Sequence, residues 1–521
     1  MNFRSPVIHP LLFTIFPILA LFNHNIEQLP FQSIMWPLII APSIVLLAWF
    51  SLTAKMKNRG KAGVLLTFLI FSFFSYGHVV RRVNESILAR VIPRSPLYPF
   101  IACLLIIIAV TILIIRSRWE YRELTAILNL TAVTMTILSA ANMGYYYVKY
   151  RRHASSWTEA AQNAQSAAGM AASTISKTRP DIYYIILDRY GNASTLQEYF
   201  DFGNNDFTRY LSHKGFFVAS KSCCNYATTF LSLASSLNMR YVNDLKDSEM
   251  VETKDRSAVY ETLQDFEVLR LLKARGYRYL HFGSSWEPTR LNRFADENYN
   301  YYRSYFGIPL NEFSRKLLTT TLLQSALDIM TAGTTTQVAE YRGRLLFQFD
   351  KLAEVVTEPG PKFVFAHIFL PHPPYLFNRD GKAIYGYEGE GDRERQDYIE
   401  YVMYGNQKIR VLVNSILKRS AEPPIIILQA DEGPRLKMME SLNLKRLDRL
   451  RFRARIFNAY YVPGMGDKSF YKSISPVNTF RLIFNGIFGT QYPILDDKTF
   501  YASDPQHPYQ FQDITNFVKF K

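Results

Sequence analysis

The stretch "LLIIIAVTILII", residues 104–115, has no charge and a single hydroxyl. Such a run belongs in a protein core or in lipid, and it does not stand alone. Five long apolar stretches fill the first 150 residues: Val7–Phe22, Ile34–Leu52, Ala62–Val80, Leu97–Ile115 and Leu124–Val148. The middle three are each about 19 residues long, enough to cross a hydrocarbon core of roughly 30 Å. The first is shorter and carries Pro10 and Pro17. No small-residue cleavage site follows it, which argues against a signal peptide. The expectation is an N-terminal region, residues 1–150, of about five transmembrane helices.

The loops "KMKNRGK" (55–61) and "RSRWEYR" (116–122) are basic and, by the charge rule, face the cytoplasm. With five spans this puts the amino terminus inside and everything after residue 150 outside. The loop with Arg81, Arg82, Arg90 and Arg94 opposes that choice, so the margin is narrow. The reading is a multi-pass protein of the cell membrane whose C-terminal domain is extracytoplasmic.

Residues 151–178 are rich in Ala, Ser, Gln and Thr and read as a linker, semi-rigid where helical. From 179 to 521 the composition is that of a globular domain. Lys and Arg number 60 against 44 Asp and Glu, a net charge of +16. That excess suits anionic lipid, an acidic polymer or nucleic acid equally well, and the apolar spans make nucleic acid remote. Only three cysteines occur, at 103, 223 and 224, so no disulfide framework supports the fold.

In the globular half, short apolar runs end abruptly in polar residues. "DIYYIIL" leads into Asp188, "FVFAHIFL" into Pro371 and His372, and "IIILQA" into Asp431 and Glu432. Runs this short, rich in Ile, Val and aromatics, read as strands buried on both faces. "YRYLHF" is a fourth. Helical patterns between them predict an α/β sandwich around a mostly parallel sheet. Ligand sites in such sheets lie beyond the carboxyl ends of the strands. One Asp after a strand commonly caps a turn; three strands ending this way point to a metal or phosphate site.

A fifth segment, "NYATTFLSLASSLNM" (225–239), places five hydroxyls in an apolar, helical run: Thr228, Thr229, Ser232, Ser235 and Ser236. A helix start favours an anion or a developing oxyanion, because its first amides are free. Ser232 and Ser236 lie deeper in the helix and read as packing residues, and Thr228 reads as a cap whose loss costs about 1 kcal/mol.

These segments, with "FLPHPPYLF", "IIILQADEGP" and "FNAYYVPG…ISPVNTFRLIFN", resemble in order the sulfatase-like hydrolases and transferases of the alkaline phosphatase superfamily. That group includes a membrane-anchored branch with lipoteichoic acid synthase and the lipid phosphoethanolamine transferases. The resemblance implies an alkaline phosphatase-like fold and metal-centred phosphoryl or sulfuryl transfer on a membrane lipid or envelope glycopolymer. By the same resemblance Asp188, Thr229, Asp431 and Glu432 bind one divalent ion, Thr229 is the nucleophile, and His372 is a catalytic and substrate-binding histidine. Two departures stand out. The usual Asp-His-Gly triplet is here Asp431-Glu432-Gly433, an all-oxygen shell that suits Mn²⁺ or Mg²⁺ better than Zn²⁺ or Ca²⁺. Arg189 follows Asp188, where it either grips substrate phosphate or neutralises the carboxylates. The second outcome gives a different class of protein, a degenerate domain that binds an envelope polymer or partner without turnover. Cys224 lacks the C-x-P-x-R context, which argues against formylglycine chemistry. Donor, acceptor and oligomeric state are not encoded in any of these patterns.

The charge pattern makes one direct prediction. A reporter active only outside the cytoplasm, fused after Lys521, is expected to be active; activity of a cytoplasm-only reporter at that position overturns the topology.

Overall fold

The computed structural model describes residues 6–27, 29–85, 97–169, 179–247, 249–301, 304–305, 308–309, 311–330, 336–384, 392–435, 446–466 and 469–520. It separates into two compact units, residues 1–152 with 303–337, and residues 153–302 with 338–521. The segment 303–337 lies in the sequence of the globular half and yet packs with the N-terminal helices.

The first unit contains α1 (His9–Asn25), α2 (Met35–Met56), α3 (Arg59–Glu85), α4 (Leu97–Arg116) and the part of α5 (Arg122–Gly169) up to Arg152. Four of the five, α2 to α5, contain stretches long and apolar enough to cross a membrane. The five-span expectation is not confirmed for the first: α1 has 17 residues, about 25 Å at 1.5 Å per residue, the lower limit for a span. The outward faces of α2, α4 and α5 carry exposed Leu47, Phe50, Leu105, Leu113, Leu130 and Leu138. Contiguous apolar exposure of this kind fits lipid, not water.

Side-chain hydrogen bonds fix the direction of the helices. His9 Nδ1 lies 2.6 Å from Thr67 Oγ1, and Asn129 Oδ1 accepts from the amides of Ile8 and His9. Further along, Asn23 Nδ2 donates to Ser139 O at 2.8 Å. Helices α1, α3 and α5 therefore run in the same direction. Lys61 Nζ donates to the last carbonyls of α4, Ile115 O and Ser117 O, where a cation also complements the helix dipole. Both basic loops thus sit at one end of the bundle. The reading of 151–178 as a linker is partly met by α5, which continues to Gly169; residues 170–178 lie outside the described residues.

The second unit is built on a seven-stranded sheet: β1 (Ile182–Leu187), β2 (Phe217–Val218), β3 (Arg278–Phe282), β4 (Glu297–Tyr299), β5 (Lys362–Ile368), β6 (Ile425–Gln429) and β7 (Asn458–Tyr461). Their spatial order is β2-β7-β6-β1-β5-β3-β4. The strands β6, β1, β5, β3 and β4 are mutually parallel, and β7 is antiparallel to both its neighbours. Alternation along β1 sends Tyr183, Ile185 and Leu187 into one core and Ile182, Tyr184 and Ile186 into the other. Covering both faces is what makes these strands read as unbroken apolar runs.

The amino ends of the central strands are tied by one buried cation. Lys362 Nζ meets Asp181 Oδ2 at 2.5 Å and the carbonyls of Val356 and Glu358, while Asp181 O accepts from Ile425 N. Three neighbouring strands are thereby held in register. Asp181→Ala leaves Lys362 charged and buried without its carboxylate, a loss of about 3–5 kcal/mol. The expected result is a clear drop in the melting temperature of the purified full chain, largely restored by adding Lys362→Met. No drop in the single variant would show that this pair does not hold the strand ends.

Candidate active site

At the opposite, carboxyl ends of β1, β5 and β6 three donor groups converge. Asp188 follows the last residue of β1, Asp431 lies two residues beyond β6, and His367 is the penultimate residue of β5, paired in register with Ile186. One ligand-type atom from each lies within 4.8 Å of the others, and all three residues are buried. Asp188 Oδ2 is 3.3 Å from His367 Nε2. Asp188 Oδ1, Asp431 Oδ2 and His367 Nε2 have no hydrogen-bond partner. Buried polar atoms are ordinarily satisfied, and three such atoms on groups this close make a donor set that could hold a cation.

The electrostatics agree. Burial, the neighbouring carboxylates and Glu432 push the Asp188 and Asp431 carboxyls upward from their usual range. Burial pushes the His367 imidazole down to about 4, so it is neutral and free to ligate. Its other nitrogen, Nδ1, lies 2.9 Å from Thr289 Oγ1, itself 2.7 Å from Ser284 Oγ. This second contact aims Nε2 at the carboxylates, the usual support of a ligating histidine.

The hydroxyl-rich segment forms α6 (Thr229–Leu237), and its start faces the same point. The Thr229 hydroxyl is close enough to the Asp431 carboxylate to offset part of its upward pKa shift. Thr228 occupies the N-cap position, but its side chain makes no capping bond, and its Oγ1 is buried without a partner. The capping role expected for it is therefore not observed. Its extended backbone (φ −151°, ψ 134°) begins the helix unaided. The serines are structural: Ser232 Oγ donates to Asp431 O at 2.6 Å, Ser235 Oγ to Arg240 O, and Ser236 Oγ meets Tyr184 OH at 3.0 Å. Ser232 also fixes the main chain that carries Asp431.

Glu432, expected beside Asp431 as a ligand, is paired with two arginines. Its Oε1 lies 3.4 Å from Arg189 Nε and its Oε2 accepts from Arg453 Nη2 at 3.0 Å. Two arginines occupy the carboxylate that an all-oxygen shell would need. Arg189 has φ +63°, a left-handed backbone costly for a side chain of this size. That turn lets its amide donate to Asp431 Oδ1 at 3.1 Å, while Tyr398 OH donates to its carbonyl. Gly433 is obligatory for packing, since a Cβ there would lie 2.3 Å from Phe452 O. Partial desolvation and the charges of Arg453 and Arg189 push the Arg435 pKa down.

His372 is half-buried and stands apart from the donor group. Its Nδ1 contacts Pro373 O and its ring lies 5.0 Å from that of Phe369. It lines a small cleft with His367, Arg344 and Gln348. Burial and the charge of Arg189 push its pKa down. Sequence reasoning took His372 and passed over His367, five residues earlier. The available signal was an imidazole inside an otherwise apolar strand, "FVFAHI".

No family model and no curated protein matches this sequence. Solved structures do. The C-terminal periplasmic domain of EptC from Escherichia coli in complex with zinc is 11% identical, covering 66% of this chain and 96% of its own, with a TM-score of 0.40. The integral membrane lipooligosaccharide phosphoethanolamine transferase A from Neisseria meningitidis is 10% identical, covering 92% and 94%, at 0.35. A protein in the alkaline phosphatase superfamily from Vibrio parahaemolyticus is 13% identical, covering 64% and 75%, at 0.37. Sulfatases also match. The structural neighbours are thus phosphoethanolamine transferases and sulfatases, the group that the sequence motifs resemble. Likeness at these scores is distant, and the chemistry assigned below rests on the residues of this chain.

The donor geometry predicts which substitutions remove a divalent ion. Asp188→Ala, His367→Ala and Asp431→Ala are each expected to abolish stoichiometric metal in the full-length protein, measured by elemental analysis after dialysis with Mn²⁺, Mg²⁺ or Zn²⁺. Glu432→Gln is expected to retain it. Metal lost from a folded Glu432→Gln protein makes that carboxylate a ligand after all.

Proposed function

We propose that the protein is a membrane-anchored, metal-dependent phosphoryl or sulfuryl transferase or hydrolase with Thr229 as nucleophile. The observation that carries this reading is the convergence of three unpartnered buried donors with a hydroxyl at a helix start. Asp188, His367 and Asp431 hold the ion, with Thr229 beside them. A divalent ion bound there lowers the pKa of a coordinated hydroxyl and takes up charge developing on phosphate oxygens. Because His367 supplies a nitrogen, the oxygen-only argument for Mn²⁺ or Mg²⁺ no longer applies, and Zn²⁺ suits the set equally.

The chain's own residues account for the remaining steps. Thr229 Oγ attacks phosphorus as the bond to the donor's ester oxygen breaks, and the Thr229 proton passes by way of the Asp431 carboxylate to that oxygen, which departs as the alcohol; Thr229 regains a proton from the acceptor when the phosphothreonine is displaced. Free amides at the start of α6 stabilise the charge that develops there. A phosphothreonine results, and water or an acceptor alcohol displaces it. His372, neutral and with Nδ1 turned to Pro373, offers Nε2 to take the acceptor's proton. Arg189 and Arg435 line the approach for an anionic group, with Arg189 restrained by Glu432. Four long apolar helices suit a substrate at the membrane surface, an envelope lipid or glycopolymer. The extracytoplasmic placement follows from the basic loops and holds for four or five spans. The segment 435–455 that follows the Asp-Glu-Gly triplet is rich in Arg and Lys and suits an anionic lipid or polymer; its residues 436–445 lie outside the described residues.

The substitution Thr229→Ala is expected to reduce turnover of a phosphodiester analogue by several orders of magnitude, as loss of other covalent nucleophiles does. Thr229→Ser keeps part of the activity, because the hydroxyl remains with a less constrained rotamer. Mass spectrometry of protein quenched during turnover is expected to place the label on Thr229. A label on Thr228, or normal turnover by Thr229→Ala, defeats the assignment. Bound metal with no turnover of p-nitrophenyl phosphate, a phosphodiester or a sulfate ester favours the non-catalytic binding reading, for which the Glu432–arginine pairing is the motivating observation.

A further inference from the structure

The first unit contains a large cleft that the bundle does not fill. It occupies about 1280 Å³, above the range of roughly 300–1,000 Å³ typical of small-molecule sites. Its walls are α1, α3 and α5, the three helices that run in the same direction, and they present Phe13, Phe16, Phe68, Phe71, Leu128 and Met135. Apolar walls in a segment of this hydropathy call for an apolar occupant, and in a bilayer that is an acyl chain.

The ends of the cleft differ. At the carboxyl ends of α1 and α3 it is lined by His24, His78, Arg81 and Lys316. Arg81 and His78 are exposed, with Arg81 Nη2 3.5 Å from His78 Nδ1. Among the described residues no carboxylate lines the cleft, and none forms an ion pair with Arg81. Lys316 comes from the helix Glu312–Thr319, where it pairs with Glu312 at 3.2 Å and donates to Asn25 Oδ1. This helix belongs to the segment 303–337 and closes the cleft through a tight contact with α3. Gly77 N donates to Thr320 O at 2.9 Å, and a Cβ on Gly77 would lie 2.3 Å from Thr319 O. The glycine thus permits the approach that brings Lys316 to the rim.

We infer that this cleft is a binding site for one anionic phospholipid, its acyl chains between α1, α3 and α5 and its phosphate at Arg81 and Lys316. The occupant follows from charge complementarity: a long apolar slot with cations at one end only matches an anionic headgroup on an apolar tail. A zwitterionic lipid fills the slot equally well but gains less at the rim. The inference concerns the helical unit alone and does not rest on the catalytic reading, so metal content should be unchanged by every variant below.

Native mass spectrometry of the delipidated full-length protein tests it, with phosphatidylglycerol and phosphatidylcholine of matched acyl chains as probes. The expected result is one retained lipid, with phosphatidylglycerol preferred by about tenfold or more, since each basic side chain contributes measurably to anionic headgroup binding. Arg81→Gln with Lys316→Gln should bring that preference close to one. Arg81→Lys should keep it, and Arg59→Gln with Arg116→Gln, at the other end of the bundle, should leave it intact. Ala20→Trp, which narrows the apolar slot without changing charge, should weaken both lipids. Equal retention of the two lipids by the unaltered protein overturns the inference. So does a preference that survives loss of both cations, or a second copy of the chain that excludes lipid. If the double variant does not fold, Arg81→Gln against Arg81→Lys decides by the same comparison.

Discussion

Two carboxylates and an imidazole meet, buried, at the ends of three adjacent parallel strands, and much of the second unit is arranged around that point. Burial disfavours the charged form of each acid, and their proximity disfavours it further. Alone, the pair is destabilising; with a cation it becomes a site. The surrounding contacts make sense as devices that keep the three groups together in spite of that cost. Ser232 holds the Asp431 carbonyl, the strained Arg189 turn offers its amide to Asp431 Oδ1, and Thr289 orients His367. Asp181 and Lys362 lock the same three strands at their far ends, which fixes the register on which the convergence depends.

Glu432 shows how the charge is divided. The Glu432 carboxylate is near enough to push up both acids, and Arg189 and Arg453 pair with it and offset its charge. Comparable economy governs the helical unit. Polar side chains there are turned to carbonyls and to each other, as with Lys61 on the end of α4 and Asn129 on the start of α1, because unpaired polar groups are costly in lipid.

Much of this architecture was legible before any coordinates. Apolar length alone marked the four long helices, because a bilayer sets a length that composition must meet. The strands β1, β3, β5 and β6 were legible as short Ile- and aromatic-rich runs, since strands covered on both faces have no polar alternation. Asp188 and Asp431 were legible because each follows a strand at a change from apolar to polar residues, whereas Thr229 was singled out by the family resemblance. His367 was not, because its neighbours on the strand are apolar and nothing local separates a ligating imidazole from a packed one. The segment 303–337 gave no signal of packing with the N-terminal helices, because that depends on contacts with residues several hundred positions away.

The sequence by itself determined the two-part construction, the α/β class and the set of polar residues available at the strand ends, because these follow from hydrophobic length, periodicity and local punctuation. Tertiary structure alone decided which of those residues act together. Strand order made β5 the neighbour of β1 and so brought His367 to Asp188. Two arginines distant from each other in sequence, at 189 and 453, came to pair with Glu432. The reach of Lys316 to α1 and the close pass of Gly77 gave the cleft a charged end. Each of these outcomes is a matter of which side chains share a few ångströms of low-dielectric space, and that is set by packing, not by any local pattern of residues.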